Sequence, residues 1–128
     1  FEGKTAAAIE ELRRGQDFVY VHLEAPDECG HRGETANKVH AIEEIDRRVL
    51  YPLLDAMKSM GDFRLMVLPD HPTPLTIRPH TADPVPYLLY ASDGTASPNA
   101  APFTERTARE TGCHVEEGCT LIHRLFGR

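Results

Sequence analysis

The sequence predicts a layered α/β fold in which helices cover a mostly parallel β-sheet. Short runs of β-branched and aromatic residues alternate with segments whose apolar residues recur every three or four positions. Polar loops follow two of these runs directly, and in such folds ligands bind beyond the carboxyl ends of the strands. No composition shift or linker divides the 128 residues, so we expect one domain over residues 1–128.

The first part of the chain alternates helix, strand and loop. Residues 4–14 are rich in Ala, Glu, Leu and Arg, which predicts an amphipathic helix that ends at Gly15. Residues 17–23 are almost entirely apolar, which predicts a strand covered on both faces, as in a parallel sheet. The polar stretch 24–35 contains two glycines and one proline and predicts a loop.

A long helical pattern begins at Glu34 and continues for more than 20 residues. Pro52 lies inside it, so we expect a kink or a break near Leu50–Tyr51. Gly61 ends the segment. The elements predicted after it are strands at 63–68 and 85–91, a loop between them at 70–84, a surface connection at 92–102, and helices near 103–111 and 118–126.

Composition excludes several classes of protein. The net charge of −6 and the isoelectric point of about 5.6 argue against a nucleic-acid partner, which would favour a basic surface. No apolar run approaches the roughly 20 residues that cross a bilayer. Three cysteines at irregular spacing argue against a disulfide framework and favour a reducing cytoplasm. The chain starts at Phe1 without a methionine, which indicates a segment of a longer protein.

Two polar clusters carry the candidate chemistry. Asp27 and His31 follow the first predicted strand, and Asp70 and His71 follow the second, with His80 in the same loop as the latter pair. Carboxylates and imidazoles are ligands of Zn²⁺ and Mn²⁺, so the residues predict metal binding. The first pair is expected to converge through a turn shaped by neighbouring proline and glycine residues. The second pair is expected to reach one ion only where the backbone bends at the end of its strand.

Each cluster also has an ordinary interpretation. A single Asp-x-x-x-His or Asp-His pattern is more often a solvated acid beside an incidental histidine. Cys29 lies between two candidate ligands, and a small buried side chain is favoured over a metal ligand there. His22 is expected in the core of its strand. Three further histidines are expected to be structural or surface residues: His40, His114 and His123.

The motifs themselves resemble a known family. The stretches PDECGHRG at 26–33, PDHPTP at 69–74 and HTADPVP at 80–86 closely resemble the cofactor-independent phosphoglycerate mutases of the archaeal type. These enzymes belong to the alkaline-phosphatase superfamily. The resemblance covers residues 1–91 well, and the tail is matched more weakly, through VEEG at 115–118. It implies a three-layer α/β/α sandwich, of which this chain would form a C-terminal part with a partial, mostly parallel sheet.

The resemblance also implies two divalent metal ions, Mn²⁺ first, with Zn²⁺, Mg²⁺ and Co²⁺ as alternatives. By resemblance, Asp27, His31 and His80 would hold one ion, and Asp70 and His71 the other. The family's nucleophilic serine would lie before Phe1, since Ser59, Ser92 and Ser97 lack the right setting; no catalytic residue is therefore assigned in this chain.

The implied reaction interconverts 3-phosphoglycerate and 2-phosphoglycerate through a phosphoserine, so the expected partner is a phosphorylated small molecule. Two alternatives remain open. One is a related phosphotransferase, such as a proposed homoserine kinase, or a phosphatase. The other is a metal-binding segment that is inactive when isolated.

Overall fold

The computed structural model describes residues 1–95 and 101–127. The chain folds as two compact units. The first comprises Phe1–Gly61 and Thr73–Thr81, and the second comprises Asp62–Pro72 and Ala82–Arg128. Among the described residues, every helix is too short or too polar to cross a membrane.

Helices form most of the first unit. Their bounds are α1 at Glu2–Arg13, α2 at Ala25–Arg32, α3 at Thr35–Ile45, a π-helical turn at Asp46–Leu50, and α4 at Tyr51–Met57. The first of these confirms the helix predicted at the start of the chain. Gly15 follows its C-cap with a φ of 95°, which is the left-handed conformation that glycine adopts readily.

The predicted loop at 24–35 is wrong, because most of this stretch forms helix α2. Pro26 lies in the first turn, where the missing N–H removes no helical hydrogen bond. The first turn is acidic and the last turn is basic, as the helix dipole favours. Gly33 caps the C-terminus with a φ of 72°. The helix signals were therefore in the sequence, although the glycines and the proline outweighed them in our prediction.

The predicted disturbance around Pro52 is confirmed. The long helix runs from α3 to α4. The π-helical turn ends where α4 begins, and Pro52 lies in the first turn of α4. In a regular α-helix the carbonyl of Arg48 would accept the N–H of residue 52, which proline lacks. The buried hydroxyl of Thr5 donates to that carbonyl at 2.9 Å instead. This contact joins α1 to the long helix.

The predicted strand at 17–23 is wrong. Residues 18–24 have no regular secondary structure, and no segment of the described chain pairs with them. Tyr20 is 69% exposed, and the side chain of His22 is 47% exposed, so His22 is not the core histidine that we predicted. An apolar run becomes a strand only where a neighbouring strand accepts and donates its backbone hydrogen bonds.

The core of the first unit lies between α1 and the long helix, and most of its apolar residues come from the latter. Its buried apolar side chains are Ala8, Ala41, Val49, Leu53 and Met57.

Glu44 on α3 is a nearly buried acid in this core, 8% exposed. It accepts a hydrogen bond from Arg47 at 2.5 Å and also pairs with Arg48. The hydrogen bond from Arg47, with the positive charges of both guanidinium groups, lowers the pKa of Glu44 below its ordinary value of 4.5. The ionised carboxylate therefore stabilises the folded state.

We expect Glu44→Gln to lower the stability of the first unit at pH 7. Because the folded-state pKa is depressed, the contribution of Glu44 is present above its ordinary pKa and is lost as the pH falls through the folded value. The deficit should therefore shrink in acid. Denaturant midpoints at pH 7 and below pH ~4 would measure it. The exposed Glu43→Gln is the matched control, and an equal deficit for Glu44→Gln at both pH values would contradict the linkage.

The second unit contains a two-stranded sheet. Strand β1, Arg64–Val67, pairs antiparallel with β2, Leu88–Ala91, so that Arg64 faces Ala91 and Val67 faces Leu88. Both strands were predicted, but the expected parallel sheet and three-layer sandwich are not found in the described residues. Two strands of one chain pair antiparallel without the crossover helix that a parallel pair needs.

Short helices complete the second unit and confirm both predictions for the tail. They are α5 at Glu105–Glu110, a 3₁₀ turn at Gly118–Thr120, and α6 at Leu121–Leu125. The predicted surface connection at 92–102 begins with a turn, while residues 96–100, and with them Ser97, lie outside the described part of the chain.

A cluster of three side chains joins three segments of this unit. Arg124 on α6 donates to the Tyr87 hydroxyl at 2.9 Å and to the Cys113 sulfur at 3.3 Å, and the hydroxyl lies 3.1 Å from that sulfur. The hydrogen bond from Tyr87, followed by that from Arg124, lowers the pKa of Cys113. Burial, followed by the contact with Cys113, raises the pKa of Tyr87. The three groups thus hold α6 and the loop after α5 beside the residue that precedes β2.

Candidate metal centre

Helix α2 places two of the predicted ligands on one face. Asp27 and His31 are four residues apart, so their side chains lie one turn apart on the same side of the helix. The Nε2 atom of His31 is 3.4 Å from Oδ2 of Asp27. The predicted convergence of this pair is therefore achieved by helical periodicity and not by a turn.

His80 reaches this face from the segment Thr73–Thr81. The N–H of Arg78 donates to the carbonyl of Pro74 at 2.7 Å and closes a turn before His80. Arg78 has a φ of 71°, the one left-handed conformation at a non-glycine residue among the described ones. Its guanidinium lies over Gly33, where an added Cβ would be only 3.1 Å from Nε. Gly33 thus ends α2 and also makes room for the segment that carries His80.

The side chains of Asp27, His31 and His80 converge, and we call them the three-residue centre. The two imidazole Nε2 atoms are 3.0 Å apart, and Nε2 of His80 is 3.2 Å from Oδ1 of Asp27. Ligands of one octahedral or tetrahedral cation are separated by about 2.8–3.6 Å when metal–ligand bonds are about 2.0–2.2 Å long. The donor set therefore fits a divalent cation, and its separations suit both tetrahedral and octahedral geometry.

The side chains of the three-residue centre are all partly exposed. The side chains are 32%, 41% and 49% exposed for Asp27, His31 and His80, respectively. Three protein ligands leave a tetrahedral or octahedral ion with vacant positions, as catalytic metal sites require. A water molecule or a substrate oxygen could occupy such a position.

Three neighbouring residues support this centre; Gly30 was predicted to shape a turn here, whereas no role was predicted for Thr73 or Lys38. Thr73 donates its hydroxyl hydrogen to Oδ1 of Asp27. Lys38 on α3 donates to the carbonyl of Thr73 at 2.7 Å, and Gly30 on α2 lies against the same residue. Lys38 and Thr73 are 35 residues apart, so no local pattern could have revealed the contact.

Asp70 and His71 lie in the second unit, shortly after β1, which ends at Val67. The backbone bends at both positions, as predicted. Oδ1 of Asp70 accepts the N–H of His71 at 3.1 Å, and Oδ2 is 3.5 Å from Nε2 of His71. The two side chains thus approach each other, as a shared ligand pair would. The histidines predicted at the surface, His40, His114 and His123, are all exposed.

Comparisons with known proteins agree with a metal centre. Residues 1–116 match the family model described as the Metalloenzyme superfamily, whose name implies a bound metal. A protein of Geobacter sulfurreducens is 41% identical over the whole chain and is named a probable 2,3-bisphosphoglycerate-independent phosphoglycerate mutase. Proteins with the same enzyme name from Methanosarcina barkeri and Methanothermobacter thermautotrophicus are 43% and 52% identical over 95% and 94% of the chain.

The match covers only part of each relative. The chain spans 32%, 31% and 28% of the lengths of these three proteins, which is about a third of each. No solved structure matches the chain. The family model nevertheless covers 116 of the 128 residues, including every residue of the three-residue centre. The chain belongs to the Metalloenzyme superfamily.

Proposed function

We propose that this chain is the metal-binding, C-terminal part of a phosphoglycerate mutase that interconverts 3-phosphoglycerate and 2-phosphoglycerate. The observation that carries the proposal is the convergence of the three-residue centre, with ligand atoms 3.0–3.4 Å apart. The names of relatives 41–52% identical to the chain support the choice of reaction. Because the chain spans a third of these relatives, the activity is attributed to the longer protein, with residues 1–128 as part of one metalloenzyme domain.

The family resemblance suggests the ligand roles, and the placement of the side chains supports them. Asp27, His31 and His80 hold one divalent ion, and Asp70 and His71 contribute to a second. Mn²⁺ is the first choice because the resemblance to the archaeal-type mutases implies it, and carboxylate ligands suit this ion. When bound, the ions supply Lewis acidity that neutralises charge on phosphoryl oxygens and lowers the pKa of a coordinated nucleophile.

The residues of this chain bind the metal ion and orient the substrate. The Nε2 atoms of both imidazoles of the three-residue centre would coordinate the ion, and the Asp27 carboxylate would supply negative charge. The partial exposure of these side chains admits the oxygens of a phosphorylated small molecule. The nucleophile is a serine outside these residues, and transfer depends mainly on positioning and electrostatics. We place the protein in the cytoplasm, as a glycolytic enzyme, in keeping with its free cysteines.

The reaction is tested with the full-length protein that carries this chain. The protein is stripped with a chelator, reloaded with Mn²⁺ and incubated with 3-phosphoglycerate; the metal is then chelated again before a ³¹P NMR spectrum is recorded. We expect a 2-phosphoglycerate signal that grows with time and is absent from the stripped protein. No 2-phosphoglycerate signal, together with formation of phosphohomoserine from ATP and homoserine, would reject the mutase in favour of the related kinase.

A further inference from the structure

We propose that Thr73 is a positioning residue that fixes the carboxylate of Asp27 for a divalent cation, and that Lys38 and Gly30 hold Thr73 in place. The inference rests on the proposed metal site and adds to it a set of supporting residues. Outer partners of this kind orient the direct ligands of metal centres, and their loss weakens binding even though they never touch the ion.

Thr73 contacts the carboxylate of Asp27 directly. Thr73 is 5% exposed, and its hydroxyl donates to Oδ1 of Asp27. The direction is fixed, because an ionised carboxylate has no proton to donate. A hydrogen bond to a charged acceptor is stronger than a neutral one, and it holds the carboxylate in one orientation. His80 lies 3.2 Å from this same oxygen, so the orientation matters directly to the geometry of the three-residue centre.

The backbone of Thr73 is itself restrained by its neighbours. The ammonium group of Lys38 donates to the carbonyl of Thr73 at 2.7 Å in a partly buried contact. Pro74 follows Thr73 and limits its backbone to extended conformations. The main chain of Thr73 is therefore held from two sides, and its hydroxyl is presented to Asp27 without a large loss of conformational freedom.

Gly30 lies very close to Thr73 and Lys38. This residue lies on α2 between the two ligands of that helix and is buried. A Cβ at position 30 would be 2.7 Å from the Thr73 carbonyl oxygen, 2.9 Å from the Thr73 methyl group and 2.9 Å from the Lys38 nitrogen. Gly30 is in a regular helix, so glycine is needed here for space and not for its backbone conformation. The ligand-bearing face of α2 can rest on Thr73 only because no side chain intervenes.

The test compares variants of the full-length protein by calorimetric titration with Mn²⁺. Thr73→Val keeps the shape of the side chain but removes the donor, and we expect Mn²⁺ affinity to fall by ~10–100-fold. Thr73→Ser restores the hydroxyl and should bind within about threefold of the native protein. Thr76→Val, the same change at an exposed position of the same segment, is the matched control and should bind like the native protein.

The Lys38→Met variant separates the positioning of Thr73 by Lys38 from the effect of the Lys38 charge on Mn²⁺ affinity. Removing a positive charge near a cation site would by itself tighten binding. If Lys38 acts by holding Thr73, Mn²⁺ affinity falls instead. Unchanged or tighter binding by this variant would overturn the role of Lys38. Because Lys38 donates to the Thr73 carbonyl and not to Asp27, this variant also probes the proposal if Thr73→Val fails to fold.

Asp27→Asn distinguishes failure of this inference from failure of the metal site. If Asp27→Asn loses Mn²⁺ binding while Thr73→Val binds like the native protein, the role of Thr73 is overturned and the metal site stands. If Asp27→Asn also binds like the native protein, the metal site itself is wrong. Loss of binding in both variants, with rescue by Thr73→Ser, supports the proposal.

Discussion

Replacing His80 with alanine is expected to reduce affinity for Mn²⁺ by more than ~10–100-fold. A loss of that size follows removal of a residue that only hydrogen-bonds to a metal ligand. In the proposed centre His80 supplies one of three ligand atoms, and its Nε2 lies 3.0 Å from that of His31 and 3.2 Å from Oδ1 of Asp27. The ion would keep two of these protein ligands, one fewer than the three that catalytic zinc sites use. The measurement is a calorimetric titration of the full-length protein with Mn²⁺.

The matched control for this variant is His22→Ala. His22 belongs to the same unit and has a similarly exposed side chain, but its Nε2 lies 3.7 Å from Glu24 and outside the centre. We expect this variant to bind Mn²⁺ like the native protein. Equal affinities for the two histidine variants would show that the three-residue centre does not hold the ion.

Replacing Gly30 with alanine is expected to destabilise the first unit by about 1–3 kcal/mol, as overpacking of a close contact does. Its added methyl group would meet the backbone carbonyl of Thr73 at 2.7 Å, and a backbone atom cannot rotate away as a side chain does. Relief requires α2 or the segment of Thr73 to shift, and either movement displaces a ligand. Mn²⁺ affinity should therefore fall together with stability.

Gly3→Ala is the matched control, because helix propensity alone predicts the opposite sign. Gly3 lies in the first turn of α1 with nothing within 4 Å of an added Cβ, so alanine should stabilise the protein by at most about 0.5–1 kcal/mol, the value for a helix interior. Denaturant midpoints of both variants give the comparison. If Gly30→Ala also raised the midpoint, the close packing of α2 on Thr73 would be contradicted.

The structure brings the candidate ligands of the three-residue centre together, but the local structure predicted around two of them was wrong. Asp27 and His31 were chosen by residue type and spacing, and their separation of four residues is that of one helical turn. We expected a loop there, because one proline and two glycines outweighed the helix signals. The proline occupies the first turn and Gly33 the C-cap, which are the positions where helices tolerate them.

What the sequence could not predict depends on contacts between distant residues. The approach of His80 requires a left-handed Arg78 whose guanidinium lies over Gly33, and the support of Asp27 requires Thr73. Strand pairing is non-local in the same sense. Strands β1 and β2 were recognised from their residues, but their antiparallel direction is set by the path of the chain between them. The apolar run at 17–23 had the composition of a strand and found no partner in the described chain.

The central claim is that Asp27, His31 and His80 bind one divalent ion. Crystals of the full-length protein grown with Mn²⁺, with diffraction recorded at the manganese absorption edge, test it most directly. We predict an anomalous difference peak within coordination distance of the Nε2 atoms of His31 and His80 and of a carboxylate oxygen of Asp27. A peak bonded to other residues, with these three side chains left without metal, would contradict the account.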